Sequence, residues 1–104
     1  MYDPGYATSI DNSIIKPVRF QLHQNYPNPF NLLTTIKYSL TRSDFVTIKI
    51  CNLVGQEVEL LVNAFQTAGD HQITWEAEGV PRGIYFYTLQ TGEFSETKKL
   101  HLQK

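Results

Sequence analysis

From Phe20 onward the chain is a succession of short runs of β-branched and aromatic residues, interrupted by turn formers every eight to twelve residues. That rhythm is the mark of a β-sandwich or barrel. Seven strands are predicted. The first covers residues 20–24. The second, 35–40, alternates Ile36, Tyr38 and Leu40 with Thr35, Lys37 and Ser39, and the third, 45–51, sets Val46, Ile48 and Ile50 against Thr47, Lys49 and Cys51. A period of two places each apolar set on one face, so both read as half-buried strands of an antiparallel sheet.

Leu53, Val54, Gly55 and Gln56 supply a turn in which Gly55 is free to take positive φ. Residues 57–62 then alternate Val58, Leu60 and Val62 with Glu57, Glu59 and Leu61. A helix over 58–64 spans under two turns and is marginal without good caps, so strand is the reading kept. Ala68, Gly69 and Asp70 break the chain again before residues 71–76, where Ile73 and Trp75 share a face. Trp75 can bury about 150–250 Å², or about 4–6 kcal/mol at the upper end, which makes it the expected centre of the core. Gly79, Pro81 and Gly83 mark the next turn. Residues 84–91, with Tyr85, Phe86 and Tyr87, are apolar or aromatic on both parities, as in a central strand covered on each side. A tight turn at Thr91 and Gly92 leads into the last strand, 94–103, with Leu100 and Leu102 near its end. Deletions there are expected to remove structure rather than a tail.

Residues 1–19 carry Pro4, Gly5 and Pro17 among Ser, Thr, Asp and Asn, with Ile14 and Ile15 as an isolated apolar pair. They read as a linker, which leaves 20–104 as one domain. Nine basic and ten acidic side chains give a net charge of -1, so no strong field draws the chain to nucleic acid. No run approaches the ~20 apolar residues of a membrane-spanning segment. The first residues lack the basic and apolar regions of a secretory signal, so an exported parent is expected to carry its signal upstream of Met1.

Chemistry finds little footing. His23, His71 and His101 fall on three different segments without the i, i+4 spacing of a helical zinc site. Glu57, Asp70, Glu76 and Glu78 form no pairing that sequence can certify. No Gly-x-Ser-x-Gly elbow or phosphate-cradling loop occurs. The single cysteine, Cys51, has no neighbour that lowers its pKa and reads as a packed or half-exposed thiol. No catalytic residue, metal site or cofactor is therefore assigned.

The run Asn25, Tyr26, Pro27, Asn28, Pro29, Phe30, Asn31 is stiff for a simple reason. Each proline locks its own φ and pushes the preceding Tyr26 or Asn28 toward extended backbone, while asparagine side chains close turns. Two roles are open for this corner: it joins the first two strands with Tyr26 and Phe30 pinned to the core, or it is recognised directly by a partner. Lys98, Lys99 and Lys104 beside His101 form a small basic end, either an ordinary solvated face or a contact for an acidic receptor. A receptor could also use the edge of the last strand, since an exposed strand can add to another sheet.

These landmarks resemble a known family. The 25–31 run, then Thr34, Thr35 and Ile36, then Gly55, then Ala68, Gly69, Asp70 and His71 with Trp75, then Gly83, Ile84, Tyr85, Phe86 and Tyr87, and finally Thr97, Lys98, Lys99 and Leu100 are similar to the type A carboxy-terminal sorting domain of the type IX secretion system. Leu32 stands where the family usually has proline, and Cys51 and Asn52 replace its common Tyr-Asp. The resemblance implies an immunoglobulin-like antiparallel β-sandwich of about seven strands, non-catalytic and attached to an upstream cargo domain. It further implies recognition by the translocon and sortase components of that system, passage through the periplasm, and a secreted or cell-surface destination with a cut in the linker. The alternative is a carbohydrate-binding or adhesive surface module, in which Tyr85, Phe86 and Tyr87 stack against a sugar.

Overall fold

The computed structural model describes residues 20–103; the expected linker, residues 1–19, and Lys104 lie outside the described residues. Seven strands follow one another: β1 (Gln21–Leu22), β2 (Leu33–Leu40), β3 (Asp44–Cys51), β4 (Glu57–Gln66), β5 (Gly69–Glu76), β6 (Gly83–Gln90) and β7 (Ser95–Leu102). They form two antiparallel sheets packed as a sandwich, one ordered β1-β2-β5 and the other β4-β3-β6-β7. The described residues contain no helix.

Period-two patterning sets which side chains meet between the layers. In β2 the inward set is Thr34, Ile36, Tyr38 and Leu40; in β3 it is Val46, Ile48 and Ile50; in β6 it is Tyr85, Tyr87 and Leu89; in β7 it is Leu100 and Leu102. All are buried. Trp75 of β5 lies among them with its ring 5.8 Å from Phe30 and 6.1 Å from Tyr85, the latter edge-on at 73°. Its indole N–H donates to Glu59 Oε1 at 2.8 Å, which joins the outer strands of the two sheets. Buried aromatic N–H groups need such a partner. Ile73, opposite Ile36 on the same outer strand, is half-buried because no strand covers its far side.

Three expectations are corrected. The strand predicted to end at residue 62 continues to Gln66, and its alternation breaks. Ile48 faces Val62 while Lys49 faces Leu60, and Ile50 faces Glu59 while Cys51 faces Glu57, so Leu61 and Val58 are extra residues. Each such bulge flips the parity that follows. Leu60, expected in the core, therefore shares the outer face with Lys49 and is 43% exposed, whereas Val58 and Leu61 pack half-buried against the core. β6 is central in its sheet but covered on one face; Ile84, Phe86 and Thr88 on its other face are half-buried. The first strand shrinks to Gln21–Leu22 because the chain then leaves the sheet: His23 N still reaches Lys37 O at 3.0 Å, but Asn25 N turns to the Tyr87 hydroxyl.

Candidate functional site

The 25–31 corner crosses the end of the sandwich from β1 toward β7, and a small polar network holds its root. Asn25 is 2% exposed. Its side-chain N–H group donates to Thr34 Oγ1 at 2.9 Å and to Pro27 O at 3.2 Å, and the Thr34 hydroxyl donates to Pro27 O at 2.8 Å. From the other sheet, Tyr87 donates its hydroxyl to His23 O at 2.7 Å and accepts from Asn25 N at 2.8 Å. Burial pushes the Tyr87 phenol up to about 12, against the smaller lowering effect of its bond from the Asn25 backbone. The Tyr26–Pro27 and Asn28–Pro29 peptide bonds are both cis.

The two aromatic residues of the corner part company. Phe30 is 3% exposed and packs on Trp75. Tyr26, expected to be pinned to the core, is 80% exposed. It pairs with Thr35, with main-chain bonds of 2.9 Å in both directions, and directly opposed residues project to the same face. Thr35 faces outward, opposite in parity to the buried Thr34 and Ile36, so Tyr26 does too.

Beyond its root the corner meets the last strand. Phe30 N donates to His101 O at 3.1 Å and Gln103 N donates to Phe30 O at 2.7 Å, a one-residue parallel bridge between Phe30 and Leu102. Asn28 Oδ1 accepts from His101 N at 3.0 Å, and Gln24 Nε2 donates to Lys99 O at 2.8 Å. The edge offered by sequence reasoning to a receptor is thus already occupied over residues 99–103. Nothing in the sequence pattern announces these contacts, because they join positions more than seventy residues apart.

The basic end divides. Lys99 and His101 point outward, while Lys98 is half-buried and pairs with Glu96 at 3.4 Å. Gly55, Gly69 and Gly83 sit at turns and strand beginnings with φ of 88°, 123° and 146°. The need is plainest at Gly55, where Asn52 closes the turn: its carbonyl accepts from Gly55 N, and its Oδ1 accepts from Val54 N and Gln56 N.

His23 and His71 share one groove, whose lining does not include His101. Among the described residues no group of three or more His, Cys, Asp or Glu side chains is placed to hold a metal ion. His23, Lys37, Ser39, Asp70 and His71 line an open groove of about 310 Å³, but Asp70 accepts from Ser39 Oγ and His71 stacks on Tyr38 while its Nε2 bonds Thr67 O. Cys51 is a half-buried free thiol. The proposed sugar platform is dismantled, because Tyr85 and Tyr87 are buried in the core and only Phe86 remains on the outer face. A feature missed from sequence is the cross-strand pair Phe45 and Phe65, both exposed at the end of the larger sheet.

The family model for the secretion system C-terminal sorting domain matches residues 24–103. The chain belongs to that family. The match begins beside the corner and runs to the end of β7, so it takes in the polar network, the indole core and the sealed edge together. The sorting domain is a signal for type IX secretion, and it acts in export to the outer membrane, the cell surface or the medium. Its family is defined by addressing a cargo protein to the secretion machinery rather than by catalysis. A search of curated proteins found no match. No helix among the described residues is long and apolar enough to cross a membrane.

Proposed function

We propose that this sorting domain is read by the type IX translocon and sortase components as a folded sandwich, and that residues 1–19 link it to an upstream cargo domain. The observation that carries the reading is the span of the family match, residues 24–103, which takes in the corner and all of β2 through β7 instead of a short terminal peptide. A peptide signal would need only local residues. Here the 25–31 corner is held by Thr34 and Tyr87 and itself holds residues 99–103, so the features a receptor could meet are assembled by the fold.

In this reading a cut within residues 1–19 separates cargo from domain, followed by release or attachment at the surface. The test is a foreign passenger fused ahead of residue 20 in a strain that carries the machinery. Export of the passenger is expected, with the new terminus of the released product mapping within residues 1–19 when these are included. Removal of residues 100–104 is expected to abolish export. Undiminished export of the shortened fusion would overturn the proposal.

A further inference from the structure

The outer edge of a terminal strand is a row of main-chain donors and acceptors that another strand can join. On β7 that row is engaged from within the chain over residues 99–103. Lys99 O accepts from the Gln24 side chain, His101 N donates to the Asn28 side chain, His101 O accepts from Phe30 N, and Gln103 N donates to Phe30 O, at 2.8, 3.0, 3.1 and 2.7 Å respectively. Near the start of the same strand the Phe20 ring stands edge-on to Phe94 at 5.6 Å.

An edge like that of β7 is a template for its own copy. Its pairing with β6 runs over all eight residues without a register shift, so the strand is regular from end to end. Antiparallel pairing of two β7 strands about Thr97 sets Glu96 of one copy against Lys98 of the other, twice. Opposite charges directly across a strand pair are favourable. In that arrangement residues 92–95 of one copy fall opposite 99–102 of the other, the place now taken by residues 24–30.

We propose that the 24–30 segment is an edge guard, which fills the pairing edge of the terminal strand and keeps β7 from joining β7 of a second copy of this chain. The inference concerns the folded domain and stands apart from the export reading. Its test is the double variant Gln24→Ala, Asn28→Ala, which changes two exposed residues and removes both side-chain contacts to β7, along with the 2.6 Å bond that Gln24 Nε2 donates to the buried Asn25 Oδ1. Sedimentation velocity is expected to show a concentration-dependent dimer at concentrations where the parent is a monomer, and amide exchange at His101, measured at dilutions where the variant is still monomeric, is expected to quicken by about tenfold. Adding His101→Pro should restore the monomer, because that N–H points to Asn28 and proline is tolerated on an outer strand.

A double variant that stays monomeric over the same range overturns the proposal. So does a dimer that survives His101→Pro, which would place the contact on another edge. Loss of the folded state on Asn28→Ala alone, seen by circular dichroism, would make the segment a structural member rather than a guard and overturns it as well.

Discussion

The Tyr87 hydroxyl accepts the main-chain N–H of Asn25 at 2.8 Å, a bond that spans 62 positions of sequence and ties the middle of one sheet to the corner leaving the other. The same hydroxyl donates to His23 O. Replacing Tyr87 with Phe keeps the ring and removes the hydroxyl from both the buried Asn25 N–H and the part-buried His23 carbonyl. The expected cost at neutral pH is about 1–3 kcal/mol, read from urea unfolding. Burial raises the folded-state phenol pKa from the ordinary 10.0 to about 12, so the folded protein holds that proton more tightly than the unfolded chain. This stabilisation is complete below pH 10 and lost as pH climbs toward 12. The fall in stability across that window should be shallower in the Phe variant, and not flat, because burial also raises Tyr38 and Tyr85.

Trp75 touches Phe30 and Tyr85 and bonds Glu59. Trp75→Ala is expected to lower stability by about 3–5 kcal/mol. Glu59→Gln retains an acceptor for the indole and should cost far less than Trp75→Ala, while Glu59→Leu leaves the N–H unpaired. Thermal melts of the three variants would check that order; equal melting for Ala and parent would remove the indole from the centre of the core.

Leu100 and Leu102 are fully buried, and Gln103 N bonds Phe30 O. Removing residues 100–104 discards both leucines, each about 2–5 kcal/mol, against about 5–15 kcal/mol for a whole domain. The shortened domain is expected to be largely unfolded by circular dichroism. Loss of export on this deletion would then report loss of the folded unit.

Two glycines should respond oppositely to alanine. Gly55 holds φ at 88° with open space around it, so its substitution meets backbone strain alone. The expected loss is about 1–2 kcal/mol. At Gly92 an added Cβ meets only ordinary contact with Asp44, 3.8 Å away, and the change should be neutral or stabilising by about 0.4–1 kcal/mol. Paired melting curves decide this.

Lys98→Ala and Lys99→Ala are each expected to alter stability by less than about 1 kcal/mol, since Lys99 is exposed and the pair that half-buried Lys98 makes with Glu96 is partly solvated. Export of a fused passenger is expected to stay at the parent level. A loss of export with the melting curve intact would assign direct recognition to the lysines.

How far the pattern of residues led can be seen strand by strand. In β2 and β3 the apolar alternation named the inward apolar side chains, because the pleat of a strand imposes a period of two whatever lies opposite. The family landmarks likewise stood in plain order along the chain. In β4 the same rule misplaced Leu60, because the bulges at Val58 and Leu61 are a property of its pairing with β3. Tyr26 and Phe30 look equivalent in the 25–31 run, yet one faces water and the other the indole, since their partners are Thr35 and Leu102.

Local chemistry, then, was enough to specify an all-β chain with an aromatic core and a proline-stiffened corner. The sealing of the last strand, the network around Asn25 and the splitting of the lysine pair arose from contacts between segments far apart in the chain. A side chain's reach extends a few ångströms, and which distant backbone lies within it is known once the two sheets are in register.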